Sequence, residues 1–187
     1  MNLEKIKKLL SKKWFVISKW LSDKEILNIE KKYNINFPIE YKHLLIDFLP
    51  LWWSFIDWRN WDEKKIKSIL KWPLEWIIFD VKNNNFWYKW WWNKSNNIDK
   101  NIKIITDYVH RFPILIPIYW HRYIPWLNNI KWLPVFSVRQ TDIIYYWYNL
   151  ENYFEVEFWN SEYWNWFDNI INIDFWGELI KLNNQLL

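Results

Sequence analysis

The residues of this chain that could do chemistry are few, and the most suggestive of them lie in two short stretches, "YWHRYIP" and "SVRQTDII". The first contains His121 and Arg122, and the second contains Arg139, Gln140 and Asp142. A histidine beside a carboxylate can form an acid–base pair or begin a metal site. Arginine, aspartate and histidine side chains that cluster are more often a structural polar network than a catalytic centre. We therefore expect the chain not to be an enzyme.

Other patterns of catalysis and metal binding are missing from the sequence. His43 and His110 stand in predicted helices, and no second histidine follows at ligand spacing. The chain contains no cysteine, which excludes disulfides and thiolate sites and suits a reducing compartment such as the cytoplasm. No apolar run approaches the roughly twenty residues that a bilayer requires. We expect no metal, no cofactor, no signal peptide and no transmembrane segment.

Charge is distributed unevenly along the chain. The net charge is +4, and residues 1–13 carry five lysines against Glu4. Such a run is most often a solvated helix face. From Gln140 onward, eight carboxylates stand against Lys181 alone, so the acidic part is the better candidate for a partner surface. It would repel phosphates, and few lysines lie among the aromatic residues, so direct nucleic-acid binding is not expected.

Glycine and tryptophan occur in unusual numbers. The chain has one glycine, Gly177, and twenty tryptophans, whereas an average domain of this length has roughly thirteen glycines. Several tryptophans stand among turn-forming residues, where glycine would adopt positive φ without a steric cost. We hypothesise that the source reads the codon UGA as glycine, so that many of these Trp letters are glycine in the native protein. The alternative is a true tryptophan-rich protein with a sugar-binding or adhesive surface.

Hydrophobic periodicity predicts helices first and strands afterwards, an order that indicates a single α+β domain. Residues 1–20 are expected to form one amphipathic helix or two short ones, which pack on the domain or attach to an anionic membrane or a partner. Ser22 and Glu25 form a capping box that begins the next helix, Pro38 begins another, and a third ends at Trp72-Pro73. A helix over about 99–111 and a closing helix follow. Strands are predicted for "EWIIFDV", "NNFWYKWW", "LIPIYWHRYI", "LPVFSV", "DIIYYWY" and "YFEVEFW".

Several strings of the chain resemble one known family. They are "DWRN" at 57–60, "WPLEWIIFDVKNNNFWYKWWW" at 72–92, "LIPIYWHRYIP" at 115–125, "PVFSVRQTDIIYYWYNLENYF" at 134–154 and "DFWGELI" at 174–180. In this order they resemble the SUKH superfamily, the fold shared by fungal cell-wall assembly regulators of the Smi/Knr type and by many bacterial toxin-immunity proteins. The resemblance divides the chain into an N-terminal helical extension, residues 1–20, and a SUKH-like domain, residues 21–187.

The resemblance implies a fold and a function. The fold is a mainly antiparallel sheet packed against N-terminal and intervening helices. The function is that of a non-catalytic immunity protein, which binds and neutralises a cognate toxin such as a nuclease. A nuclease is basic where it holds phosphates, so a set of carboxylates suits such a partner: Glu151, Glu155, Glu157 and Glu162. The family motifs fall on Trp58, Arg59, Trp87, His121, Arg122, Gln140, Asp142 and Tyr145.

The resemblance also sorts the tryptophans. Family members carry glycine at Trp76, Trp120 and Trp147, and often near Trp92, which makes these positions the first candidates for miscoding. They carry tryptophan at Trp58, Trp72, Trp87 and Trp176. Two alternatives to toxin neutralisation stay open. One is a regulatory scaffold domain of the same fold, and the other is a carbohydrate-binding module that stacks sugars on Trp52, Trp53 and Trp90 to Trp92.

Overall fold

The computed structural model describes residues 1–159 and 170–185. Over these ranges the chain forms a single α+β domain with seven helices and two antiparallel sheets, which confirms the predicted fold class. None of the described helices is long and apolar enough to cross a membrane. The helices are α1 (Leu3–Lys12), α2 (Asp23–Tyr33), α3 (Ile39–Asp47), α4 (Glu63–Asn83), α5 (Ile98–Val109), α6 (Leu150–Trp159) and α7 (Trp176–Gln185). The strands are β1 (Val16–Ser18), β2 (Leu49–Leu51), β3 (Leu115–Tyr119), β4 (Arg122–Pro125), β5 (Val135–Arg139) and β6 (Asp142–Trp147).

The larger sheet brings the first group of candidate residues to one end of the molecule. Its order is β3-β4-β5-β6, so each strand pairs with the next one along the chain. In such a meander, alternate loops lie at the same end of the sheet. The two-residue loops 120–121 and 140–141 therefore share an end, with Arg139 directly opposite Asp142 in the register.

Helix α4 runs through Pro73, so the predicted helix end at this proline is wrong, and so is the strand predicted for "EWIIFDV". Proline has no N–H for the carbonyl four residues earlier, which here belongs to Ile69. The buried Tyr123 hydroxyl donates to that carbonyl oxygen at 3.2 Å. Tyr123 thus supplies the missing donor, and the buried side chains of Ile77 and Val81 pack the second half of the helix into the core. For these two reasons α4 remains continuous across the proline.

Helix α6 occupies "YFEVEFW", for which the alternation of the residues predicts a strand, and that prediction is wrong. The same residues have helical spacing, since Tyr153, Phe154 and Phe158 are all buried. The side-chain oxygen of Asn149 accepts the N–H of Asn152 at 2.9 Å, as an N-cap residue does. The strand predicted for "NNFWYKWW" is also wrong, because residues 84–91 form bends, turns and irregular backbone.

The first twenty residues pack against the rest of the domain. Helix α1 ends at Lys12, and residues 16–18 form a strand that pairs with β2, so helical structure over the whole segment was a wrong prediction. Ile6, Leu9 and Leu10 are buried, and α1 lies against α6. The apolar face of α1 is therefore covered by the domain itself. Of the roles expected for this helix, this is packing on the domain rather than attachment to a membrane.

Helix α1 ends in a Schellman motif that places Trp14 at the position usually held by glycine. The N–H of Phe15 donates to the Leu10 carbonyl and the N–H of Trp14 to the Ser11 carbonyl, each at 3.2 Å. Trp14 has a φ of 66° and is 86% exposed. A side chain with a Cβ is strained in this left-handed region, so the turn would be formed more easily by glycine.

Two further tryptophans adopt left-handed backbone. Trp120, with a φ of 48°, is the first residue of the two-residue β3–β4 loop, and Trp132, with a φ of 62°, lies in the connection from β4 to β5. Trp120 was a predicted glycine position, whereas Trp14 and Trp132 were not. The other three predicted positions, Trp76 within helix α4, Trp92 and Trp147 at the end of β6, do not have positive φ.

Candidate functional site

His121 lies in the 120–121 loop and is half-buried. Burial, followed by the charges of Arg122 and Arg139, lowers the pKa of His121 to about 4. The imidazole is therefore neutral near pH 7, and its ring centroid lies 5.0 Å from that of Trp120. Two arginines, and no carboxylate, thus set the charge environment of this histidine. Such surroundings do not make His121 a stronger base.

Gln140 and Asp142 lie in and beside the neighbouring loop, and both are exposed. Gln140 has a φ of 57° and so provides the left-handed residue of the two-residue turn. The loop is attached to α4, because the N–H of Thr141 donates to Asp80 Oδ2 at 2.7 Å. In this part of the described chain no hydrogen bond or ion pair joins Asp142 to the loop histidine. The acid–base pair considered from the sequence is therefore not assembled.

Arg122 is the centre of a polar group that joins β4 to three other elements. Its Nη1 donates to Ser137 Oγ at 2.8 Å, and its guanidinium carbon lies 3.6 Å from the Tyr146 ring centroid. Its Nε lies 3.9 Å from Glu157 Oε2 on α6. Burial raises the pKa of the Tyr153 hydroxyl well above its usual range, and the Glu157 carboxylate adds to that shift. Sequence analysis missed Tyr146 and Tyr153, because four separate elements supply this group.

Three of the four carboxylates expected to face a partner lie on α6, and two of them are held by α1. Glu155 is 7% exposed, and its Oε1 lies 2.5 Å from Lys5 Nζ. Glu151 Oε1 accepts the backbone N–H of Asn2 at 2.6 Å, and its Oε2 lies 3.5 Å from the N-terminal amine. The basic helix α1 and the two residues before it therefore pair with the acidic helix α6 of the same molecule.

The other two members of that carboxylate set are placed differently. Glu157 points at the guanidinium of Arg122, in the polar group described above. Glu162 lies outside the described residues. Glu151, Glu155 and Glu157 therefore do not form the open acidic surface predicted from the sequence, because each carboxylate faces a cation of the same chain. Local sequence could not show this, because the neutralising cations are supplied by distant parts of the chain.

Trp58 and Arg59 join the early helices. Trp58 is 3% exposed, and its Nε1–H donates to the Tyr41 hydroxyl at 3.1 Å. Arg59 donates to Glu25 Oε1 at 2.7 Å and to the backbone carbonyl oxygens of residues 19 and 20 at 3.1 and 2.7 Å. The Arg59 hydrogen bond, with those from the capping serine, lowers the pKa of Glu25 to about 2. Both motif residues therefore serve as structural connections.

Tyr145 explains the single glycine of the chain. Its ring stacks on Phe136 with 5.1 Å between centroids, and its hydroxyl accepts the N–H of Ile173 at 3.3 Å. Gly177 lies beside that hydroxyl, and a Cβ at this position would collide with Tyr145 Oη and with Asn172 Oδ1. Because the φ of Gly177 is not positive, close approach rather than backbone conformation requires glycine here.

The tryptophans proposed as a sugar platform do not form one surface. Trp91 is 5% exposed, and its ring lies 5.0 Å from that of Trp87. Trp90 and Trp92 are 61% and 59% exposed, and the Trp92 carbonyl accepts the Nε1–H of Trp87 at 2.9 Å. Trp53 is exposed, but its ring is inclined by 56° to the neighbouring indole. The buried Trp91 is therefore not part of an exposed stacking surface.

The candidate residues lie in several separate parts of the described chain. Within residues 1–159 and 170–185, no group of three or more histidine, aspartate or glutamate side chains could hold a metal ion. In the described part of the chain, the sheet end with His121 and Arg122 brings predicted residues of two neighbouring loops together. Its chemistry is that of a neutral imidazole beside two guanidinium groups.

Comparisons with known proteins add no relative to this description. No protein-family model matches the chain, no curated protein matches it significantly, and no solved structure matches its fold significantly.

Proposed function

We propose that this chain is a non-catalytic binding protein of the immunity type, which binds a cognate protein toxin and blocks its action. The observation that carries the proposal is the use of the motif residues as scaffold. Trp58, Arg59, Arg122 and Tyr145 each bond to another element. With these side chains engaged within the chain, the surface remains for contact with a partner, in keeping with the resemblance to immunity proteins.

Charge supports a basic partner for this surface. After α1 has paired with α6, carboxylates in the described C-terminal part remain available on α7 and the turn before it, where Asp174 is exposed and Glu178 half-buried. A nuclease toxin must be basic where it holds phosphates, and opposite charges accelerate association and select partners. We therefore place the toxin contact near the start of α7 rather than on α6.

Coexpression tests the proposal. The toxin-like reading frame beside the native gene is induced in cells with and without this chain, and growth is measured. Protection is expected with the wild-type chain and with Asp23→Asn, which changes an exposed carboxylate on α2. Trp58→Ala, which is expected to destabilise the domain, should reduce it. Full toxicity in the presence of soluble, folded wild-type chain would overturn the proposal.

A second measurement separates the immunity role from the regulatory alternative. The purified chain is mixed with the purified toxin, and toxin activity is followed against the molar ratio of the two proteins. Complete inhibition near equimolar ratio is expected of an immunity protein. A stable complex with a non-toxic cellular protein, without inhibition of any toxin, would instead assign the regulatory role.

A further inference from the structure

A small pocket lies between the end of α5 and the start of α7. Its volume is about 220 Å³. Sites for drug-sized molecules typically measure about 300–1,000 Å³, so this pocket suits one side chain rather than a metabolite. Aromatic rings and carboxylates line it: Trp90, Tyr108, Phe112, Asp174, Phe175 and Glu178.

Three of the lining rings form a compact wall. The centroids of Phe112 and Phe175 are 5.1 Å apart, with an angle of 25° between their planes. Tyr108 lies 5.1 Å from Phe112 and 5.8 Å from Phe175, and its ring is inclined by 69° to the latter. Phe175 is buried, whereas Trp90 is exposed. The pocket thus has a fixed aromatic base and an exposed indole at its mouth.

The two carboxylates make the pocket negative. The Tyr88 hydroxyl donates a hydrogen bond to Glu178 Oε2, which fixes the position of the Glu178 carboxylate. Burial and then the Glu178 charge raise the pKa of the neighbouring Tyr108. Asp174 adds an exposed carboxylate that has no hydrogen bond or ion pair with another described side chain. Negative groups beside aromatic rings favour a positively charged guest.

A cation of this chain already contacts the same aromatic group. The guanidinium carbon of Arg111 lies 5.9 Å from the Tyr108 ring centroid and 5.7 Å from that of Trp92. Arg111 is not among the residues that line the pocket. The Arg111 contact therefore shows that the Tyr108 ring accepts a cation on its face.

The backbone at the pocket is strained. Phe175 has a φ of 64°, although it is a bulky residue and only 2% exposed. Strained backbone of this kind clusters at binding and catalytic sites. At Phe175 the strain is held by packing, since its ring contacts those of Tyr88, Tyr108, Phe112 and Trp176.

We propose that this aromatic and acidic pocket binds the ammonium end of a lysine side chain presented by a basic protein partner. The rings would contact the cation through their faces, and the carboxylates of Asp174 and Glu178 would neutralise it. The identity of the partner as a toxin rests on the proposed function. The chemistry of the pocket does not, because the rings, the carboxylates and the volume determine it.

A pair of matched probes tests this inference. Nα-acetyl-lysine methylamide carries the cation, and its Nε-acetylated form has the same backbone and stem without the charge. Each is titrated into the full chain while the NMR signals of the Tyr108, Phe112 and Phe175 rings are followed. Because a cation–π contact and an ion pair together contribute about 1–2 kcal/mol, we expect about five- to thirtyfold weaker binding of the acetylated probe.

Variants of the chain make the test specific. The double variant Asp174→Asn and Glu178→Gln keeps both side-chain shapes and hydrogen-bond acceptors, and we expect it to lose that charge preference. Asp23→Asn, at the N-terminal end of helix α2 and outside the pocket lining, should retain it. Equal shifts of the ring signals with both probes, or an unchanged preference in the double variant, would overturn the inference.

The outcomes also separate this inference from the proposed function. Toxin neutralisation without any lysine-probe binding would overturn the lysine-binding proposal and support the immunity role. Lysine-probe binding without toxin neutralisation would support the lysine-binding proposal and overturn the immunity role. If both hold, we expect the double variant at Asp174 and Glu178 to protect cells less well than Asp23→Asn.

Discussion

The start of α7 and the end of α1 differ in how backbone and side chain fit each other. At the start of α7, Gly177 has ordinary φ, and a neighbouring hydroxyl leaves no room for a Cβ. At the end of α1, Trp14 has left-handed backbone and its large side chain is 86% exposed. Packing therefore explains the glycine at position 177 at the start of α7, but packing does not explain the tryptophan at position 14 after α1.

The same contrast divides the tryptophans of the whole described chain. Trp58 and Trp176 are 3% and 2% exposed, and each indole N–H has a hydrogen-bond acceptor. Trp120 and Trp132 are 56% and 49% exposed and have positive φ, as Trp14 does. The Trp120 indole contacts the rings of Trp53 and His121 at the surface, whereas the strained Phe175 is held by buried packing. This supports glycine as the native residue at the three left-handed positions.

Removal of a buried indole should give the largest effect. Trp58→Ala deletes a fully packed ring together with its hydrogen bond to Tyr41, and we expect a loss of about 3–5 kcal/mol in the free energy of unfolding. Urea denaturation measures this value. Trp58→Phe, which keeps an aromatic ring, should lose clearly less. A loss below about 1 kcal/mol in the alanine variant would show that the Trp58 ring contributes little to stability, which would contradict its assignment as a packed native tryptophan.

A methyl group at the single glycine should give the next largest effect. Gly177→Ala would gain helix propensity, but its Cβ would collide with Tyr145 Oη, so we expect a net loss of about 1–3 kcal/mol. Tyr145→Phe removes that hydroxyl. In the Tyr145→Phe background the cost of Gly177→Ala should therefore be smaller, as a double-mutant cycle would show. Greater stability of Gly177→Ala in the wild-type background would contradict the close-approach explanation.

Glycine at the left-handed positions should stabilise the protein. Trp14→Gly, Trp120→Gly and Trp132→Gly each relieve a strained Cβ, and we expect a gain of about 1 kcal/mol at each site. Alanine at the same positions is the matched control, because it removes the indole but keeps the Cβ. At each site glycine should be more stable than alanine in thermal or urea unfolding. If alanine is the more stable at all three sites, the glycine assignment fails.

The smallest effect is expected at His121, whose folded-state pKa is about 4 against an ordinary value of 6.5. Between these values the unfolded chain binds more protons, so this group lowers stability as pH falls from 6.5 towards 4. Trp120→Gly removes the adjacent indole and exposes the imidazole. We therefore expect a higher pKa of His121 by NMR titration and a smaller loss of stability between pH 7 and pH 5. Trp132→Gly should leave that pKa unchanged, and the same pKa in both variants would exclude burial by the Trp120 indole as its cause.

Local rules predicted much of the helical half and of the large sheet. The capping box of Ser22 and Glu25, the helix start after Pro38 and strands β5 and β6 are confirmed. The run "LIPIYWHRYI", predicted as one strand, instead forms β3 and β4 with a two-residue loop between them. Each confirmed element follows from signals within a few residues of sequence, such as a cap, a proline or a run of β-branched residues. Such signals act on the local backbone and need no distant contact.

The misses come from contacts between distant residues. Helix α4 passes Pro73 because Tyr123 caps the freed carbonyl, and the α6 carboxylates are internal because Lys5 and the N-terminus neutralise them. The aromatic and acidic pocket joins residues from three separate stretches. Composition indicated an acidic C-terminal part, but no local pattern could show which of its carboxylates remain available to a partner.

The nucleotide sequence of the native locus tests the immunity proposal most directly, and the same read reports the codons of the tryptophans. We predict a toxin-like reading frame beside the gene, UGA codons at Trp14, Trp120 and Trp132, and UGG codons at Trp58 and Trp176. UGG codons at all five positions with no toxin-like neighbour would contradict both the immunity role and the division of the tryptophans into two classes.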